Sequence, residues 1–329
     1  MVQDLSLYPE NACLLAPIAG HSDLPFRLSA RRHGCKFAFT EMVDAGSLVF
    51  AAPKSLHLLA RDPSEDFLGV QIVGSELDTL KKAVQILNER EFSVIDFNLG
   101  CPAPKVAKKC EGAAFALKKP DEAVKAFAVI AENSRFPVSV KMRILSETDP
   151  EPTVRLAQKL ADCGASAMTI HGRLMKNFYS GEVFFDIIKA VAENVKIPVI
   201  ANGGALSAPL YKELCRESTC SRGMVARGAL GDPWIFREIA GGLPPTLEEY
   251  GEEIRTHFFA MVDFYGADLA FRICRKTLLA YLRGRGYPGS LRASVSFLNS
   301  LDDFEVLMKE VQKGPLSKVY KETGLVACC

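Results

Sequence analysis

The chain has 329 residues, 48% of them hydrophobic and 24% charged, and a formal net charge of +1. That balance excludes a disordered or fibrous chain and leaves enough length for one large core or two domains. The near-neutral total says nothing for or against an anionic partner, so the distribution of charge has to decide.

The opening stretch "MVQDLSLYPENACLLAPIAG" has no cationic segment ahead of an apolar one. No later run approaches the roughly 20 apolar residues of a membrane span, so a soluble, cytoplasmic chain is expected. Ten cysteines are scattered along it without a C-x-x-C pair, which predicts reduced thiols rather than a disulfide framework. Cys215 with Cys220 and the terminal Cys328–Cys329 come nearest to a metal pattern, but neither has a histidine at ligand spacing, and no metal is expected.

Eight short apolar runs follow one another: "CLLAPIA" from Cys13, "FAFTEM" from Phe37, "FLGVQIV" from Phe67, "VIDFNLG" from Val94, "PVSVKMR" from Pro137, "AMTIHG" from Ala167, "PVIANGG" from Pro198 and "GMVARGA" from Gly223. Between them, "ELDTLKKAVQILNER" from Glu76 and "DEAVKAFAVIAENS" from Asp121 place apolar residues at helical steps. "EPTVRLAQKLADCG" from Glu151 ends on Gly164, a predicted helix C-terminal glycine. Continuous apolar strands alternating with helices predict a parallel sheet, and eight such units fit a (β/α)8 TIM barrel, for which about 250 residues is usual. An open doubly wound sheet is the alternative, but G-x-G-x-x-G after the first strand is absent. "AGGLPPTLEEYGEE" then breaks the pattern and starts a helix with Thr246 and Glu249 as a capping box. A barrel domain over 1–240 and a smaller all-helical domain over 241–329 are expected.

Barrel enzymes carry their chemistry at the C-terminal ends of the strands. Here those ends hold Pro17 to Gly20, Glu41, Gln71, Asn98 with Cys101, Lys141 with Arg143, His171 with Arg173, Asn202 with Gly203 and Gly204, and Arg227 with Gly228. Lys141 is the least ordinary, because an unpaired charge in an apolar strand is costly. Glu41 with Arg143 also fits a structural ion pair, and His171 alone fits a structural histidine. The glycines of "ANGG" and "ARGAL" predict a phosphate site, since bare backbone lets N–H groups approach an anion.

The motifs "APIAGHSDLPFR", "FNLGCPAPKV", "SVKMR", "IHGR", "ANGG" and "ARGA", in this order, resemble the tRNA-dihydrouridine synthase family over essentially the whole chain. The tail "CRKTLLAYLRGRGYPGSLR" resembles the bacterial B-type branch. The resemblance implies FMN as cofactor, NADPH as reductant and tRNA as substrate, with hydride passing from flavin N5 to C6 of uridine and Cys101 giving the proton to C5. It implies further that Pro17, Ile18, Ala19, Gln71, Lys141 and His171 contact the flavin ring. Asn202, Gly203, Gly204, Ala226 and Arg227 match its phosphate site, and Asn98 and Arg173 match the substrate pocket. The sequence departs from the family in "APIAGHSD" on the first strand, in Gly204 where aspartate is commoner, and in Thr277 where the B-type branch has histidine.

From Leu269 to Leu301 there is no acidic residue, while Arg272, Arg275, Lys276, Arg283, Arg285 and Arg292 all fall inside that window. On a helix, Arg272, Arg275, Lys276 and Arg283 share one broad face, which suits a phosphate backbone. Two alternatives to a monomeric tRNA reductase stay open at this point. One is a small-molecule flavin oxidoreductase of the dihydroorotate dehydrogenase or old yellow enzyme type, and the other is a catalytically silent RNA-binding relative.

Overall fold

In the computed structural model, residues 7–9 and 11–316 are described, so Cys328 and Cys329 lie outside the described residues. The strands are β1 (Leu14–Leu15), β2 (Phe37–Phe39), β3 (Val43–Asp44), β4 (Leu68–Val73), β5 (Val94–Leu99), β6 (Val138–Arg143), β7 (Ala167–His171), β8 (Val199–Asn202) and β9 (Arg222–Val225). Each predicted apolar run contains one of them. The exception is β3, a two-residue strand paired with β4 and too short to register as a run. All pairings are parallel: β1 joins β2 and β9, β2 joins β4, and β4 to β9 follow in sequence, which closes an eight-stranded barrel with β3 as an appendage.

The helices form where apolar spacing and caps agree. Glu76 accepts from the N–H groups of Asp78 and Thr79 and so starts Leu77–Asn88, which buries Leu80, Ala83, Val84 and Leu87 along one stripe. Pro120–Asn133 does the same with Ala123, Ala126, Phe127 and Ile130. Helix Glu151–Asp162 ends at Cys163, and Gly164 follows with φ +95° as predicted.

Alternation along the strands layers the barrel interior. Tyr8, Leu14, Phe37, Phe39, Val94, Ala167, Ile200 and Met224 form an apolar core. Two residues beyond Val94 on the same face of β5 stands Asp96, and two further on Asn98. The register sets Asp96 between Gln71 of β4 and Ser139 of β6, and Asn98 opposite Lys141. Arg143 then lies opposite His171, and His171 opposite Asn202. Apolar residues therefore close one end of the interior and polar residues occupy the end where the strands finish.

The chain divides into two compact units, and the division is discontinuous in sequence. One comprises the chain up to Asp23, Lys36–Ala205 and Pro209–Ala226, and the other Leu24–Cys35, Leu206–Ala208 and Arg227 onward. The second unit packs helices Leu247–Tyr265, Ala267–Leu282 and Leu301–Gln312 around a core of Trp234, Tyr250, Phe258, Tyr281 and Phe304. Leu247–Tyr265 begins with the capping box that Thr246 and Glu249 predict. Helix Leu24–Arg32 also belongs to this unit: Glu253, buried, accepts from Ser29 Oγ at 2.6 Å, Arg32 NH2 at 2.7 Å and His33 Nε2 at 2.9 Å.

Among the described residues no helix is long and apolar enough to cross a membrane. No disulfide links the described cysteines, and no cluster of three or more His, Cys, Asp or Glu side chains suited to a metal occurs among them.

Candidate active site

The site is assembled on the C-terminal ends of the barrel strands. After β1, the chain turns tightly through Pro17, Ile18 and Ala19: Ala16 N–H donates to Val225 O at 2.8 Å, and the Ile18 carbonyl accepts from His21 and Ser22 N–H, both at 2.9 Å. Glu41 closes this turn by accepting from Gly20 N–H.

On β5 and the loop after it, Asn98 Oδ1 accepts from the N–H groups of Gly100 at 3.0 Å and Cys101 at 2.8 Å. The Cys101 carbonyl in turn accepts from Ala113 N–H at 3.1 Å. Arg143 Nε donates to Gly100 O at 2.8 Å and its NH1 to Leu174 O at 3.2 Å, tying the loops after β5 and β7 together. The Tyr179 ring lies under the Arg143 guanidinium, 5.6 Å from its centroid. Burial raises the Cys101 thiol above its usual value, outweighing the backbone N–H near it and the charges of Arg143 and Lys141. At neutral pH the sulfur therefore keeps its proton.

Lys141 Nζ donates to Asn202 Oδ1 at 2.8 Å, and Asn202 Nδ2 donates to Met224 O at 2.8 Å, which fixes the amide's orientation. Burial, and then the Arg143 charge, push the Lys141 ammonium down to about 7 against the opposing pull of Asp96 and Cys101. The side chain keeps partial exposure to the mouth, so solvent limits that fall. Arg173, also buried, donates from Nε to Gly181 O at 2.9 Å and lies 3.4 Å through NH1 from His171 Nε2.

Gln71, Asn98, Cys101, Lys141, His171, Arg173, Asn202, Gly203 and Gly204 are thus brought to one mouth, with Pro17, Ile18 and Ala19 in the turn after β1. Ala226 follows β9 directly, and Arg227 opens the short 3₁₀ turn Arg227–Ala229 counted with the second unit. Within that unit Arg272 and Lys276 are exposed on helix Ala267–Leu282, and Arg283, also exposed, caps it. Arg275 is less available, since its guanidinium donates to Leu298 O at 3.0 Å and Asn299 Oδ1 at 2.7 Å. Arg285, in the same acid-free window, is 1% exposed, pairs with Asp232 at 3.0 Å and lies over the Trp234 and Tyr250 rings. It is a core residue and adds nothing to a cationic surface.

Two polar residues of the interior escaped the strand-end survey. Asp96 is 2% exposed and accepts from Gln71 Nε2 and Ser139 Oγ, each at 2.6 Å. Burial raises its carboxyl to about 6 despite those bonds and the nearby Lys141 charge. The signal was present in "VIDFNLG", where Asp96 and Asn98 stand two apart and so share a face.

A closed parallel barrel with buried polar and cationic side chains converging on one mouth is an enzyme scaffold, with its site built from strand ends. The family model described as "Dihydrouridine synthase (Dus)" matches residues 14–314, and the chain belongs to that family. Among its relatives, "tRNA-dihydrouridine synthase B" of Pasteurella multocida is 36% identical over 282 residues, 84% of this chain and 85% of the relative. The protein of the same name from Vibrio vulnificus is 34% identical over 298 residues, 88% of this chain and 92% of the relative. Among solved structures, histamine dehydrogenase from Rhizobium sp. 4-9 aligns with a TM-score of 0.51 and 11% identity over 82% of this chain and 48% of that one, a likeness of fold alone.

Membership makes the protein an oxidoreductase and implies a flavin. The residues fit such a group. The barrel mouth holds a cation, Lys141, that a polyanionic or reduced ring would stabilise. At the end of β8, Gly203 and Gly204 turn with φ +120° and +74°, leaving bare backbone beside His171; a Cβ on Gly203 would meet His171 Cδ2 at 2.9 Å. Such a cradle suits a phosphate and rejects side chains.

Proposed function

We propose that the protein is a tRNA-dihydrouridine synthase that reduces the C5–C6 double bond of specific uridines in tRNA, with FMN as cofactor and NADPH as reductant. The observation that carries this reading is the meeting, in a chain of this family, of a thiol on a backbone-clamped loop with a half-buried lysine at one barrel mouth. When bound, FMN reduced by NADPH supplies the hydride that adds to uridine C6.

Cys101 delivers the proton to C5 as negative charge builds there; a thiol held protonated by burial suits a general acid. Lys141, Gln71 and His171, with the turn at Pro17, Ile18 and Ala19, hold the ring of the cofactor. Asn202, Gly203, Gly204 and Ala226 hold its phosphate, with Arg227 as the next residue in the chain. Asn98 and Arg173 face the uridine. The target base must leave its stack to reach a barrel mouth, so the nucleotide is turned outward.

The C-terminal domain expected over 241–329 binds the tRNA backbone through Arg272, Lys276 and Arg283, with Arg275 as a lesser contributor, while the barrel domain expected over 1–240 carries the chemistry. The enzyme works as a cytoplasmic monomer. The test is an anaerobic absorption experiment. A flavin spectrum that bleaches with NADPH and returns only with unmodified tRNA supports the reading. Return with orotate or a small enone instead overturns the substrate, and a colourless protein that takes up no FMN overturns the chemistry.

A further inference from the structure

Asp96 lies level with Gln71 and two residues before Asn98 on β5, and side chains connect it to the loop of the proton donor. As a carboxylate it can only accept hydrogen bonds. Gln71 must therefore turn its nitrogen toward Asp96, as it does at 2.6 Å, and Ser139 must donate from its hydroxyl, also at 2.6 Å.

With the Gln71 nitrogen committed, its oxygen is left to accept from Asn98 Nδ2 at 2.7 Å. That commits the Asn98 nitrogen, so the Asn98 oxygen faces the loop and accepts from Gly100 N–H and Cys101 N–H. Every step runs in one sense. Reversing Gln71 would set its oxygen against the Asp96 carboxylate and its nitrogen against Asn98 Nδ2, and reversing Asn98 would withdraw the acceptor from both backbone N–H groups. On its other side the loop is held by Arg143 Nε on Gly100 O at 2.8 Å, so the carboxylate relay and the arginine grip it from two directions.

We propose that Asp96 is a positioning residue for Cys101: by fixing the orientation of Gln71 and through it Asn98, it holds the loop that carries the thiol in register with the site. The inference rests on Cys101 being the proton donor of the proposed reaction. Asp96 touches neither the thiol nor the substrate; its hold on the loop passes through two amides, beside the pull of its charge on Lys141.

The test compares Asp96→Leu, which removes the acceptor of the Gln71 nitrogen, and Asp96→Ser, whose shorter side chain draws the acceptor away from it, with Asp96→Asn. The asparagine can accept from Gln71 through its oxygen and donate to the Ser139 hydroxyl through its nitrogen. Three rates are measured: reduction of the flavin-loaded protein by NADPH, reoxidation by tRNA, and alkylation of Cys101 by iodoacetamide in the flavin-free protein. The relay-breaking variants are expected to slow the tRNA step roughly tenfold to a hundredfold. They should slow reduction by NADPH less than the tRNA step, since Gln71 and Lys141 also serve the flavin, and speed Cys101 alkylation several-fold as the loop loosens. Asp96→Asn recovers most of both losses. A normal tRNA step and normal alkylation in a folded Leu or Ser variant would overturn the relay, and so would an Asn variant as impaired as either. If the wild-type protein is not reoxidised by tRNA, the proposed reaction fails, while the alkylation rates still decide whether Asp96 holds the loop.

Discussion

Gly112 supports the Cys101 loop from behind, and replacing it with alanine gives a sharp test of that geometry. Its backbone has φ +59° and ψ −132°, a combination that side chains rarely adopt. A Cβ there would lie 2.8 Å from Cys101 O, 3.1 Å from Cys101 Cβ and 3.1 Å from Val106 Cγ1. Backbone strain of this kind costs about 1–3 kcal/mol, and overpacking against fixed neighbours about another 1–3 kcal/mol.

At about 2 °C per kcal/mol for a unit of barrel size, the melting temperature should fall by roughly 4–12 °C. Gly164→Ala is the control: Gly164 also has positive φ, +95°, but nothing lies within 4 Å of its Cβ position, so it carries strain without a clash. Scanning calorimetry of both variants separates the two terms. Because the clash in Gly112→Ala is with Cys101 itself, reoxidation by tRNA should also slow in that variant and not in the control. Equal melting shifts together with an unimpaired tRNA step would refute the packing of Gly112 against Cys101.

Cys101→Ala should keep its flavin and its reduction by NADPH while losing nearly all tRNA reduction. In the wild type, single-turnover rates should hold through neutral pH and fall only above the usual thiol value of 9.0, because burial raises Cys101 and the protonated form is the active one. An activity limb well below pH 9 would argue against the thiol as acid. In the helical unit, burial tends to raise the Glu253 carboxyl, but hydrogen bonds from His33, Arg32 and Ser29 and the Arg32 charge outweigh it and bring the value to about 2. A depressed carboxylate stabilises the fold above its unfolded value of 4.5 and loses that contribution as pH falls toward 2. Glu253→Gln should therefore cost about 3 kcal/mol at pH 7 and progressively less between pH 4.5 and 2, as read by urea titration. Finally, Arg272→Ala with Lys276→Ala should weaken tRNA binding and flatten its salt dependence by about 0.9 per lost phosphate contact. An unchanged slope would remove that helix from the RNA surface.

The barrel was legible because each of its eight strands is a short apolar run, buried on both faces, and only the appended β3 does not announce itself that way. β3 pairs through only two residues and leaves no run to detect. At the site, the strand-end residues could be located from the sequence, since barrel topology dictates where polar groups gather. Their mutual orientation could not: that Asn98 caps Cys101 depends on Gln71, 27 positions earlier. Charge was read least well. Arg285 and Arg272 look alike in an acid-free window, but the partner that draws Arg285 into the core, Asp232, stands far outside it. Helix Leu24–Arg32 follows the first strand in the chain, and amphipathic spacing cannot say which neighbours its apolar face will meet.

That helix has a bearing on how the protein is made. A carboxylate from Leu247–Tyr265 binds Ser29 across a separation of 224 residues. During synthesis, residues 24–35 leave the ribosome long before Glu253 exists, and until then Ser29, Arg32 and His33 lack the acceptor they share. Completion of the helical unit must therefore wait for nearly the whole chain, and its long-range closure is a slow step by its nature. A fragment beginning at Gly241 would lack two helices of its own unit, Leu24–Arg32 and Ile235–Ile239. Attempts to obtain the helical unit in isolation should include residues 24–35, supplied as a separate peptide or fused by a linker.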